Sequence, residues 1–230
     1  MKQDRAGLAS LFRAVAVGDS ASVSRALRAA PELARAAIDL GASRADPARW
    51  FVPDAARYIL SGDTALHFAA ASFRPSLCKR LLALGADVRA RNRRSVEPLH
   101  AASGGSPGGR PWNPRQQAAT IQLLIEAGAD PNCADAGGAT PLHRAVRTRC
   151  AAAVAALLER GANPRAKNAS GSTPLHLAVQ TTGRGGSGSA EAKAQQAEII
   201  RLLIEHGARV SDTDGHGKTV AQRARPASLP

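Results

Sequence analysis

One short pattern recurs along this chain and dictates what it can fold into. TALHFAA opens at Thr64, EPLHAAS at Glu97, TPLHRAV at Thr140 and TPLHLAV at Thr173, with a degenerate TVAQRA at Thr219. The starts lie 33, 43, 33 and 46 residues apart. A second ruler agrees: Gly85, Gly128, Gly161 and Gly207, the glycines of LGAD, AGAD, RGAN and HGAR, are spaced 43, 33 and 46. One period of 33 accounts for both series if the second and fourth copies carry insertions of 10 and 13 residues. A fixed period of this length builds by stacking, because one copy cannot bury its apolar faces alone.

Each copy has a mechanical reading. Thr accepts a hydrogen bond from an otherwise unpaired N–H of the first helical turn, and Pro suits the first helical position, where its missing N–H was unpaired anyway. The following Leu and Ala point inward along a short helix A. An antiparallel helix B then ends in Leu-Leu-x-x-Gly, where glycine takes the left-handed conformation that lets the chain leave. An extended finger with Asp or Asn near its tip leads to the next copy. Two departures stand out: Glu97 replaces the capping Thr and Ser95 the turn glycine of the second copy, which predicts a weaker or differently bonded entry.

The period and the T-P-L-H-x-A signature resemble the ankyrin repeat. The resemblance covers residues 62–214 strongly and implies an all-α fold, an ankyrin-repeat solenoid of antiparallel helix pairs joined by β-turn fingers. On it we expect a single domain over 1–230: a degenerate repeat at 1–35, an aromatic-containing insertion at 36–61, and repeat one at 62–94. Repeat two follows at 95–137 with an inserted loop at 103–113, repeat three at 138–170, repeat four at 171–214 with a loop at 182–189, and a cap and tail at 215–230. Helix B of repeat two should restart near Pro114, and that of repeat four should be lengthened, from Ala190 to His206.

Composition fits thin stacked helices. Only seven residues are aromatic, so the core must come from Ala, Leu, Val and Ile. Three of those aromatics, Trp50, Phe51 and Tyr58, fall in the first insertion, where they either cover the flank of repeat one or present an anchor to a partner. No apolar run is long enough for a membrane span, and the amino-terminal residues do not read as a secretory signal. Cys78, Cys133 and Cys150 lack C-x-x-C spacing, which points to reduced thiols and a cytoplasmic location. The net charge of +13 is spread along the chain instead of gathering into the arm a dedicated nucleic-acid or lipid binder would carry.

The residues with chemistry are mostly structural. His67, His100, His143 and His176 share the fourth position of the signature with Thr64, Thr140 and Thr173 at the first, and the resemblance implies hydrogen-bonding roles that link turns. GKT at Gly217–Thr219 lacks the rest of a phosphate loop, and Asp212-Thr213-Asp214-Gly215 lacks the downstream Glu of a calcium loop. No histidine or cysteine set has zinc spacing, and nothing places a nucleophile beside a base. We therefore expect no enzyme activity, no cofactor and no metal. The resemblance implies recognition of a protein through finger tips and the exposed face of helix A, and the residues there are Arg93, Arg94, Arg147, Thr148, Gln180 and Lys218. Their charge favours an acidic partner. A second reading places an anionic ligand or nucleic acid on the turns between helices A and B, at Arg110, Arg149, Arg184, Gly185, Gly186 and Ser187. Scattered charge and few aromatics for base stacking weigh against nucleic acid.

Overall fold

A computed structural model describes residues 5–43, 46–105, 112–180 and 189–224. They fall into two compact units, one within Met1–Ala102 and Arg115–Asp130, the other within Ser103–Pro114 and Pro131–Pro230. Apart from one two-stranded ribbon and short 3-10 turns, the regular structure of the described residues is α-helical.

The first unit holds α1 (Arg5–Val17), α2 (Ser20–Ala29), α3 (Ala65–Ala71), α4 (Pro75–Ala83) and, but for Ser103 and Pro114, α5 (Pro98–Ser103) and α6 (Pro114–Glu126). The degenerate repeat is a helix pair: Leu8, Leu11, Phe12 and Val15 of α1 are buried together with Val23 and Leu27 of α2. Asp19 starts α2 by accepting the Ser22 N–H at 3.0 Å. Phe12 stacks on Phe68 of α3 with ring centroids 4.7 Å apart, which joins this pair to repeat one. Each such side chain, fully buried, stabilises by about 1.5–3 kcal/mol.

The insertion ahead of repeat one is ordered by its own ribbon, β1 (Phe51–Val52) antiparallel to β2 (Arg57–Tyr58). Alternation along the strands divides its side chains. Val52, with Ile59 just beyond β2, is buried, whereas Phe51 and Tyr58 face solvent as a cross-strand pair with centroids 5.0 Å apart. Arg57 locks the ribbon down. It donates to both oxygens of the fully buried Asp63 carboxylate, at 2.9 and 3.0 Å, and lies over the Phe68 ring.

The second unit contains α7 (Pro141–Arg147), α8 (Ala151–Glu159), α9 (Pro174–Ala178), α10 (Ala190–Glu205) and α11 (Val220–Arg223). The A-type helices α7, α9 and α11 pack in sequence, and the B-type helices α8 and α10 pack beside them. Ala145 and Ala178 are buried between neighbouring helices, where a larger side chain would force the helices apart.

One device starts the A helices and also ties successive repeats together. The backbone N–H of Thr64, Thr140 or Thr173 donates to Nδ1 of the histidine three residues on, at 3.2 Å in each case. Nδ1 is thereby an acceptor, so the proton sits on Nε2. That N–H donates across to the next finger: His67 to the Val96 carbonyl at 2.9 Å, His143 to Ser172 at 3.0 Å, His176 to Lys218 at 3.3 Å. The first two links span 29 residues and the third 42, the excess being the insertion of repeat four. Glu97 keeps the backbone half of this device, its N–H donating to His100 Nδ1 at 3.2 Å, while its buried carboxylate accepts from Arg91 at 2.9 Å instead of capping α5.

Candidate binding surface

The fingers are built alike from one residue. Oδ1 of Asn92, Asp135, Asn168 or Asp214 accepts two backbone N–H groups, two and four residues on: Arg94 and Val96, Gly137 and Ala139, Ser170 and Ser172, His216 and Lys218. Each turn closes through a positive-φ residue, Ser95 in the first of these fingers and Gly138, Gly171 and Gly217 in the others. Ser95 thus adopts, at φ 55°, the conformation that glycine supplies without steric penalty. Fingers bond to one another within each unit, through Arg93 N–H to Ser61 at 2.7 Å, Ala169 to Gly137 at 2.9 Å and Gly215 to Ser170 at 3.0 Å.

On this frame the residues named from the sequence fare differently. Arg93 is exposed, but its guanidinium reaches the Ala42 carbonyl of the insertion at 2.5 Å. Arg94 and Lys218 are exposed and make no side-chain hydrogen bond or ion pair among the described residues. The Thr148 hydroxyl is turned inward, donating to the Arg144 carbonyl at 3.0 Å in the last turn of α7, so it offers a partner little. Arg110, Arg184, Gly185, Gly186 and Ser187 lie outside the described residues. Arg74, also on an A/B turn, is committed: it donates to the Ala16 and Val17 carbonyls at the end of α1, at 3.3 and 2.8 Å.

Three of the named residues come together. Arg147 and Gln180, expected on the helix A face, and Arg149, expected on the turn edge, line one cleft of about 170 Å³ in the second unit. Its apolar lining is Val146, Leu177, Ala178 and Ile199. The sequence reading missed Gln196, which completes the lining from α10 and donates to the Ala178 carbonyl at 2.7 Å. Its position one helical register from Ile199 was readable; that α10 brings it to the end of α9 was not.

Two of the signature histidines are held in their neutral form. Burial takes His67 down to about 4, and His143 is lowered too, first by burial and in smaller part by the charge of Arg147. Both stay neutral and hydrogen-bonded at neutral pH. All three cysteines are buried and unbridged, and burial pushes the Cys78 thiol up to about 12, far from a reactive thiolate. Among the described residues no group of three or more His, Cys, Asp and Glu is placed to hold a metal ion, and no helix is long and apolar enough to cross a membrane.

Comparison with known proteins decides the family. The model for ankyrin repeats, in a three-copy form, matches residues 114–214, and the single ankyrin repeat model matches 61–93. The chain belongs to the ankyrin repeat family. It is also similar to the mouse (Mus musculus) protein named Ankyrin repeat and SOCS box protein 16, 40% identical over 87 residues. That match takes in 38% of this chain and only 19% of the mouse protein, about a fifth of its length. Ankyrin repeats are generally protein–protein interaction modules, and the family is generally non-catalytic.

Proposed function

We propose that this ankyrin repeat protein is a non-catalytic interaction module that binds an acidic protein surface through its finger tips and helix A face. One observation supports the reading: Arg94, on a finger of the first unit, and Arg147 and Lys218, at the end of a helix A and on a finger of the second, have no carboxylate partner among the described residues. Arg57, Arg91, Arg144, Arg165, Arg201 and Arg223 are by contrast held in ion pairs within the chain. Cations left without counter-charges on rigid, hydrogen-bonded turns attract an anionic partner and speed its encounter. Three buried, unbridged thiols support a reducing, cytoplasmic setting.

The test is affinity capture from native lysate with the parent chain beside an R93E/R94E/R147E variant, at low and physiological salt, with and without nuclease. A protein retained by the parent, lost by the variant, salt-sensitive and indifferent to nuclease is the expected result. Capture that needs nucleic acid and survives the three substitutions would transfer the function to the turn edge instead.

A further inference from the structure

Resting on that reading, we propose that the cleft lined by α7, α9 and α10 docks one peptide segment in which an acidic residue neighbours an aliphatic one. The carboxylate meets Arg147 and Arg149, and the aliphatic side chain seats on Val146, Leu177, Ala178 and Ile199.

Two independent features of the cleft lead there. The first is size: about 170 Å³ is well below the roughly 300 Å³ where small-molecule pockets begin, and suits one side chain rather than a cofactor. The second is charge. Among the described residues two arginines line the cleft and no carboxylate does, and neither guanidinium has a hydrogen bond or ion pair to any of them. Two guanidiniums are matched by a carboxylate, to which arginine donates in parallel.

The turn that presents Arg149 is fixed by the backbone. Arg149 lies at φ 58° as the left-handed residue that ends α7, its N–H donating to the Val146 carbonyl and the Cys150 N–H to the Ala145 carbonyl, both at 3.0 Å. Phe73, nine residues after Thr64 as Arg149 is after Thr140, ends α3 in the same way at φ 53°. Phe73 is buried, whereas the Arg149 side chain is only half-buried and its guanidinium stays at the cleft.

The apolar floor favours a peptide over bare phosphate, which would gain nothing from it. Among the described residues no aromatic lines the cleft to give a nucleic-acid base a stacking platform.

The test is selection of a random-sequence displayed peptide library against the full chain and against Arg147→Gln, Arg149→Gly and R93Q/R94Q forms, at low and physiological salt. Enriched peptides are then remade in soluble form and their affinities measured by fluorescence anisotropy. Expected is enrichment of Asp or Glu within two positions of Leu, Ile or Met. Affinity should fall tenfold or more in each cleft variant and change little in an Arg28→Gln form measured beside them, since Arg28 is exposed at the end of α2, outside the fingers, the helix A face and the cleft. Arg149→Gly should unfold at the same or a higher urea concentration than the parent, so its lost binding would not reflect lost folding. Peptides without acidic residues, or acidic peptides indifferent to both cleft substitutions, overturn the assignment. If the latter are lost in R93Q/R94Q, the module reading survives and moves to the first finger. A library yielding no specific peptide at either salt overturns both, and displacement of enriched peptides by inorganic phosphate at equal concentration overturns the apolar half of the site.

Discussion

Repeat one and repeat three turn their helices in the same way, with residues at φ 53° and 58° between helix A and helix B, yet use their arginines oppositely. Around repeat one, Arg57 is bound to buried Asp63 and Arg74 closes the carbonyl end of α1. In repeat three, the guanidiniums of Arg147 and Arg149 bond to nothing among the described residues and line a cleft. The difference lies in what precedes each repeat. Repeat one follows an insertion whose ribbon brings Arg57 to it, and a helix pair whose end Arg74 can reach. The lesson is that arginine content says little about binding; whether a carboxylate or carbonyl lies within reach decides if an arginine is structure or surface.

Stability measurements should break this contrast if it is wrong. The largest effect is expected for Arg57→Met, which leaves the Asp63 carboxylate fully buried with only the Asn92 and Leu60 N–H donors, at 2.9 and 2.8 Å. Stranding a buried charge should cost about 3 kcal/mol, read as a fall in urea midpoint. An equal loss for Arg147→Met would end the distinction between the two groups of arginine.

Acid sharpens it next. His67 is neutral in the fold, titrating at about 4 against about 6.5 when exposed. The unfolded chain therefore binds the extra proton first. The stabilisation is whole above pH 6.5 and is lost as pH falls towards 4, by roughly 2–3 kcal/mol for His67. Urea titrations between those limits should show it, and His67→Gln should flatten the slope more than His143→Gln. Below that window Asp214 takes over: burial alone would raise it, but the His216 and Lys218 N–H groups and Arg223 outweigh this and hold it at about 2.

Arg74→Ala should lose about 1–2 kcal/mol through the two freed carbonyls of α1, whereas Arg147→Ala should stay within about 0.5 kcal/mol of the parent. The smallest effects are gains. Arg149→Gly and Ser95→Gly each remove a non-glycine residue from the left-handed region and should stabilise by about 0.5–1 kcal/mol. At Phe73 the same change should be net destabilising, because the buried ring is lost with the strain.

How far the text of the chain reached can be told from particular residues. The helix starts at Thr140 and Thr173, the opening of α6 at Pro114 and the long α10 follow from local chemistry, since caps, prolines and spacing act over a few residues. The period itself specified the stack, because a repeat lacking a buried face of its own must find one on its neighbour. Local rules could not tell that Arg93 would reach Ala42, 51 residues away, that Arg74 would close a helix 57 residues earlier, or that the Thr148 hydroxyl would turn back on its own helix. Nor could they merge two separately named sets, Arg147 with Gln180 and Arg149, into one cleft completed by Gln196. Pattern and capping are encoded in sequence neighbours. The partner of a long charged side chain depends on which distant backbone or carboxylate the packing brings within hydrogen-bonding reach, and only the folded chain decides that.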